Sequence, residues 1–184
     1  LLNMAIKMPD ALKTEREELD EKEWQQIEAA IDIAIKEIIQ YRTDEALSLE
    51  EDFKERIANI RTFLEEVKAL DNERIEHVKA RLKKAIDELE VEADTNRFEQ
   101  ELIYYLEKLD INEEKVRLEN HLNYFLETLA TPDSNGKKLG FIVQEMGREI
   151  NTTGSKANFA PMQKAVIQMK NELEQIKEQI LNVL

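Results

Sequence analysis

Cysteine is missing from all 184 residues, and with it go a disulfide framework, a thiolate metal site and a cysteine nucleophile. Glycine and proline are scarce, at 4 and 3 residues, and aromatic side chains make up only 6% of a chain that is 42% hydrophobic. That is the usage of helices rather than sheets, so an all-α protein is the first expectation. No apolar run approaches the roughly 20 residues a membrane-spanning helix needs, and Leu1-Leu2-Asn3-Met4 lacks the charged region and apolar core of a signal peptide. A cytoplasmic chain with no membrane partner is therefore expected. The start at Leu1 rather than at methionine further suits a piece of a longer protein. A Walker loop, a HExxH zinc helix and a recognisable Ser-His-Asp arrangement are also lacking, which removes the generic enzyme motifs.

Charge, by contrast, is abundant and unevenly placed. The net charge of −14 repels a phosphate backbone unless basic residues are concentrated locally. Residues 110–184 hold 11 Asp and Glu against 9 Lys and Arg, so nearly all of the acidity belongs to the first 109 residues. The length is enough for one domain or two small helical ones.

Residues 1–13 have no helical period, and residues 1–19 read as an extended lead-in from a missing N-terminal domain. From Asp20, the apolar positions Trp24, Ile27, Ile31, Ala34 or Ile35 and Ile38 recur at three- and four-residue steps, and Asp20 and Glu23 are spaced as a capping box. A second helix is expected to open at Ser48, with Glu51 in capping position, and to run through Phe53, Ile57, Ile60, Leu64, Val67, Ile75, Val78, Leu82 and Ile86. Asp71-Asn72 is its weak point. Unbroken to residue 90 it would reach about 60 Å, too long for a compact globule and suited to a helical hairpin or coiled-coil arm over residues 20–94.

Residues 95–184 then form a C-terminal helical bundle. A helix over 95–109 carries Phe98, Leu102, Tyr105 or Leu106 and Leu109; the next starts at Asp110, with Glu113 completing a capping box, and carries Leu118, Leu122, Phe125 and Leu129. Thr131-Pro132-Asp133-Ser134-Asn135-Gly136 reads as a turn. A helix over 137–152 buries Leu139, Ile142, Val143, Met146 and Ile150, Gly154 reads as a break, and Pro161 suits the first turn of the last helix. There Met162, Val166, Met169, Leu173, Ile176, Ile180 and Val183 alternate by fours and threes, a seam for another long helix or a second copy.

Two polar constellations are more than solvent faces. Glu114, Arg117 and His121, with Glu113 beside them, fall on a strip at the edge of an apolar stripe, where a carboxylate beside a histidine can transfer protons or simply close a salt-bridge network. The second lies on Gln144, Glu145, Arg148, Glu149, Asn151 and Thr152 and runs into Thr153-Gly154-Ser155-Lys156. Amides, guanidinium and carboxylates near such a loop suit phosphate binding and a divalent cation, or else a capped helix end in a polar interface. His77 reads as a surface residue on the acidic arm.

These residues resemble the C-terminal region of the YicC family. The likeness is carried by Asp110-Ile111-Asn112-Glu113-Glu114 with Arg117-Leu118 and His121, then by Gly136-Lys137-Lys138-Leu139, Phe141, Gln144-Glu145-Met146, Arg148-Glu149, Asn151-Thr152 and Gly154-Ser155-Lys156. Upstream, Arg42, Glu45, Leu49, Asp52 and Arg56 are similar to the pattern opening the family's long helix. Ala46 stands where the family usually has Gly, Gly140 where many members have Asp, and Gly147 where many have Asn. The resemblance covers residues 20–184 and is closest after residue 95. It implies a bacterial cytoplasmic protein that forms ring-like homo-oligomers, hexamers in the full-length protein, and cleaves single-stranded or structured RNA with a divalent metal, Mg or Mn.

On that implication, a metal-dependent endoribonuclease would use Glu113, Glu114, Glu145 and Glu149 around the metal and Glu145, Glu149 and His121 in catalysis. Arg148, Lys156, Arg117 and Asn151 would hold RNA phosphates. The competing reading is a non-catalytic helical module for oligomerisation and RNA clamping, favoured by the heptad seam, the long arm and the acidity.

Overall fold

The structure, a computed structural model, describes residues 20–88, 95–131, 135–181 and 183. The described residues form five helices and no strand: α1 (Glu21–Asp87), α2 (Thr95–Lys108), α3 (Asn112–Leu129), α4 (Gly136–Ala157) and α5 (Ala160–Ile180). The all-α expectation holds, with a long first helix and a bundle after it. The expected lead-in over 1–19, residues 89–94 of the arm and Pro132, Asp133 and Ser134 of the turn lie outside the described residues.

The two helices expected over residues 20–90 are one. Neither Gly nor Pro occurs between residues 21 and 87, so nothing interrupts the backbone ladder, and Ser48 and Glu51 lie inside α1 instead of capping a new helix. Thr43 and Thr62 turn their hydroxyls back onto the carbonyls of Ile39 and Ala58, the usual way for a mid-helix threonine to satisfy itself. At the start, the Asp20 N–H donates to Glu23 Oε2 at 3.4 Å, one half of the expected capping box.

The chain divides into two compact units, residues 1–45 and residues 46–184. In the first, the predicted amphipathic stripe is present but uncovered: Trp24, Ile27, Ile31, Ile35 and Ile38 are 41 to 58% exposed. In the second, α1 contributes Phe53, Ile57, Ile60, Leu64 and Val67, which are buried with Leu118, Leu122 and Phe125 of α3 and the apolar faces of α4 and α5. Phe53 and Phe125 meet edge to face, ring centroids 5.7 Å apart.

The seam on α5 is used inside this unit: Met162, Val166, Met169, Leu173, Ile176 and Ile180 are all buried in the common core, so of the two partners expected for it, another helix or a second copy, the chain itself supplies the packing. Gly154 does not break α4. A Cβ there would stand 2.9 Å from Val166 Cγ1, so the glycine lets α5 approach closely, and α4 ends instead at Asn158, whose φ of 36 is the left-handed conformation that stops a helix. Pro161 sits in the first turn of α5 as expected.

Asp71 is a junction and not a weak point. Its carboxylate accepts from Arg74 Nη2 at 2.8 Å and from Lys115 Nζ at 2.6 Å, and Arg74, only 3% exposed, also donates to the Leu109 carbonyl. The Asp71 carboxyl lies below its usual range: burial pushes it up, but hydrogen bonds from Lys115 and Arg74 outweigh that. This junction fixes where α3 begins. Ile111 is its N-cap, and Asp110 accepts from the Asn112 N–H at 3.3 Å, so no capping box forms there and Glu113 is left for Arg117. On α2, Leu106 is half-buried while Tyr105 is exposed, which decides between those two positions.

Candidate functional site

Tyr124 near the end of α3 meets Lys138 near the start of α4, and Glu114 at the start of α3 meets Lys156 at the end of α4, so the two helices run antiparallel. That arrangement brings the two predicted constellations face to face, α3 carrying Glu113, Glu114, Arg117 and His121, and α4 carrying Glu145, Arg148, Glu149, Asn151 and Lys156.

Two carboxylates on this seam are buried. Glu114 is 6% exposed; its Oε1 accepts from Lys156 Nζ at 2.7 Å, while its Oε2 is buried with no hydrogen-bond partner. Lys156 Nζ donates a second bond to the Asp110 carbonyl at 3.0 Å, which commits this ammonium to the base of α3. Glu149 is 4% exposed and its Oε1 lies 3.9 Å from Arg117 Nη1, while Arg117 Nη2 pairs with Glu113. A carboxylate taken out of water needs such counter-charges, because desolvating an unpaired one costs several kcal/mol.

The remaining predicted residues differ in access. Glu145 and His121 are half-buried, whereas Arg148 and Asn151 are exposed. The expected Thr-Gly-Ser-Lys loop does not exist: residues 152–156 are the last turns of α4, and the Thr152 and Ser155 hydroxyls donate to the Arg148 and Thr152 carbonyls of their own helix. The helix continues there because Gly154 is held by packing against Val166.

A divalent cation fits this donor set poorly. Among the described residues no group of three or more Asp, Glu or His side chains is arranged to hold a metal ion. Of the four carboxylates named for it, Glu113 and Glu149 face Arg117 and Glu114 faces Lys156.

Sequence reasoning missed the Tyr124–Lys138 contact, in which the ammonium lies 4.8 Å above the ring. Periodicity offers no signal for a pairing across two helices. On another flank of α3, a hydrogen bond from Lys68 of α1 holds the Glu119 carboxyl below its usual range. His77 is exposed on α1, as expected, its ring 5.5 Å from that of Phe159.

Comparison with known proteins matches the sequence of this chain to a family. A family model described as endoribonuclease YicC-like, C-terminal, matches residues 67–184. A Clostridioides difficile protein named probable endoribonuclease YicC is 35% identical over 187 residues, an alignment that takes in 100% of this chain and 64% of the relative. A Haemophilus influenzae protein of the same name is 27% identical over 182 residues, covering 99% of this chain and 63% of the relative. The chain thus spans a little under two thirds of the length of these relatives.

Proposed function

This chain belongs to the YicC-like endoribonuclease family, and from that premise we propose that it supplies the helical part of an enzyme that cleaves RNA phosphodiester bonds, with its working groups on the α3–α4 seam. The observation that carries this reading is the pair of buried carboxylates, Glu114 and Glu149, each set against a cation from the facing helix. Buried charge of this kind holds neighbouring groups in fixed positions.

The roles follow from access. Arg117, Arg148 and Asn151 keep enough exposure to meet phosphate oxygens, and a guanidinium there stabilises charge that builds on phosphorus during displacement. His121 and Glu145, half-buried on facing helices, are the groups that move protons, one taking a proton from the attacking hydroxyl or water and the other returning one to the leaving oxygen. Glu114 with Lys156, and Glu149 behind Arg117, position this row. Among the described residues the carboxylates do not gather into a metal-ligand set, so the chemistry of this reading rests on the side chains themselves.

The test is single-turnover cleavage of an end-labelled RNA by this chain and by its His121→Ala and Glu145→Ala forms, with an EDTA arm to read whether a divalent cation takes part. The reading expects each substitution to slow cleavage by about 100-fold or more while the thermal midpoint stays put, as removing a general acid or base does. Absence of cleavage by the chain, or cleavage indifferent to both substitutions, removes it.

A second reading, a helical assembly module, is favoured by one observation: the exposed apolar row from Trp24 to Ile38 in the first unit. It expects a homo-oligomer whose mass in light scattering falls when Ile31→Glu and Ile38→Glu are combined.

A further inference from the structure

Bordering the seam, and sharing Arg148 and Asn151 with it, α4 turns a face to solvent. At 100° per residue, Lys137, Phe141, Gln144, Arg148, Asn151 and Ser155 share one strip about 80° wide, and every one of them is exposed. Phe141 is the extreme case, with 63% of its surface in water. No acidic residue falls on the strip: the two on α4, Glu145 and Glu149, are half-buried and buried. In a chain with 40 Asp and Glu and a net charge of −14, an exposed run of about 27 Å that carries Lys137 and Arg148 and no acid stands apart from the average surface.

The cations on it are free to act. Neither Lys137 nor Arg148 is paired with a described carboxylate. At the α3 edge of this face, Lys138 lies over the half-exposed ring of Tyr124, while the Phe141 ring is open to solvent.

We propose that this strip is the docking surface for a single-stranded stretch of RNA, with an unpaired base stacked on Phe141 and the phosphates on either side held by Lys137, Lys138 and Arg148. The proposal rests on the RNA reading above and adds the surface that takes the strand and the residue that stacks on its base. Exposed aromatic rings interleaved with cations bind single strands, because every base has a face to stack while a duplex keeps its base faces hidden. The exposed amides of Gln144 and Asn151 suit the hydrogen-bonding edges of splayed bases. A strip of this length accommodates about four nucleotides.

The test is fluorescence anisotropy of a short labelled oligouridine against the whole chain. Phe141→Ala is expected to weaken binding by roughly 5- to 100-fold, and Phe141→Tyr to retain it, since stacking survives in the second and is lost in the first. Arg148→Gln is expected to lower the slope of log affinity against log salt by about 0.7, one phosphate contact on a single strand. In a Trp24→Phe background, Phe141→Trp is the sole indole of the chain, and its emission is expected to be quenched as the oligonucleotide binds.

Affinity for Phe141→Ala within twofold of the unsubstituted chain overturns the proposal. So does a fall in molar mass with Phe141→Ala at unchanged RNA affinity, which would give this face to a second copy. The two readings fail separately: affinity that depends on Phe141 in a chain that does not cleave upholds this surface and removes the catalytic assignment, and cleavage with affinity indifferent to Phe141 does the reverse.

Discussion

Replacing Lys156 by methionine tests the buried pair on the seam. The substitution keeps a side chain of similar length and removes the ammonium, so Glu114, 6% exposed, is left with neither oxygen partnered, because Oε2 has no partner to begin with. Breaking a fully buried ion pair by deleting one member costs about 3–5 kcal/mol. The Lys156 side chain is 31% exposed, however, so solvent screens part of that, and about 2–3 kcal/mol is the expected loss. For a chain of this size the thermal midpoint moves about 2–4 °C per kcal/mol, giving a fall of about 4–12 °C in a circular dichroism melt at neutral pH. Adding Glu114→Leu removes the orphaned charge and is expected to recover most of the loss, a coupling of more than about 1 kcal/mol between the two sites. A melt of Lys156→Met within about 1 °C of the unsubstituted chain, or a double variant no more stable than the single one, would refute the reasoning.

Gly154→Ala places a methyl 2.9 Å from Val166 Cγ1 and is expected to cost about 1–3 kcal/mol in denaturant unfolding, although alanine is the better helix former; a stabilised variant would show that α5 does not press on α4 there. Leu122→Ala empties a fully buried position between α3 and its neighbours and is expected to cost about 2–5 kcal/mol by the same assay. Asp71 and Glu119 both have carboxyls held below their usual range, so the stability they contribute is complete above about pH 4–5 and is lost as pH falls through their lowered values. Acid titration of the melting midpoint is expected to show a shallower fall for Asp71→Asn than for the unsubstituted chain, and equal slopes would contradict the junction at Asp71.

Much of the bundle was legible in the sequence because its helices bury one face each, and a buried face leaves a period of three and four that Leu118, Leu122 and Phe125 or Met162, Val166 and Met169 display directly. Boundaries were less legible. Ser48 with Glu51 has capping-box spacing, but a side-chain cap competes only weakly with an unbroken ladder, and no Gly or Pro stands nearby to tip the balance. Gly154 shows the converse, since a glycine that relieves a close helix contact looks in sequence like one that ends a helix. The heptad seam of α5 identified an apolar face without saying whether its partner lay within the chain. At the candidate site, the residue types and their placement on two helices were readable. The pairing of Glu114 with Lys156 was not, because it depends on how two helices separated by a turn are set against each other.

Photocrosslinking of this chain to an RNA carrying a photoreactive uridine analogue, followed by mapping of the attached peptides, tests most directly whether RNA meets the α3–α4 region. The account predicts attachment within Asn112–Leu129 and Gly136–Ala157, diminished when Arg148 and Arg117 are replaced by glutamine. Attachment confined to Glu21–Asp87, or unchanged by those two substitutions, would contradict it.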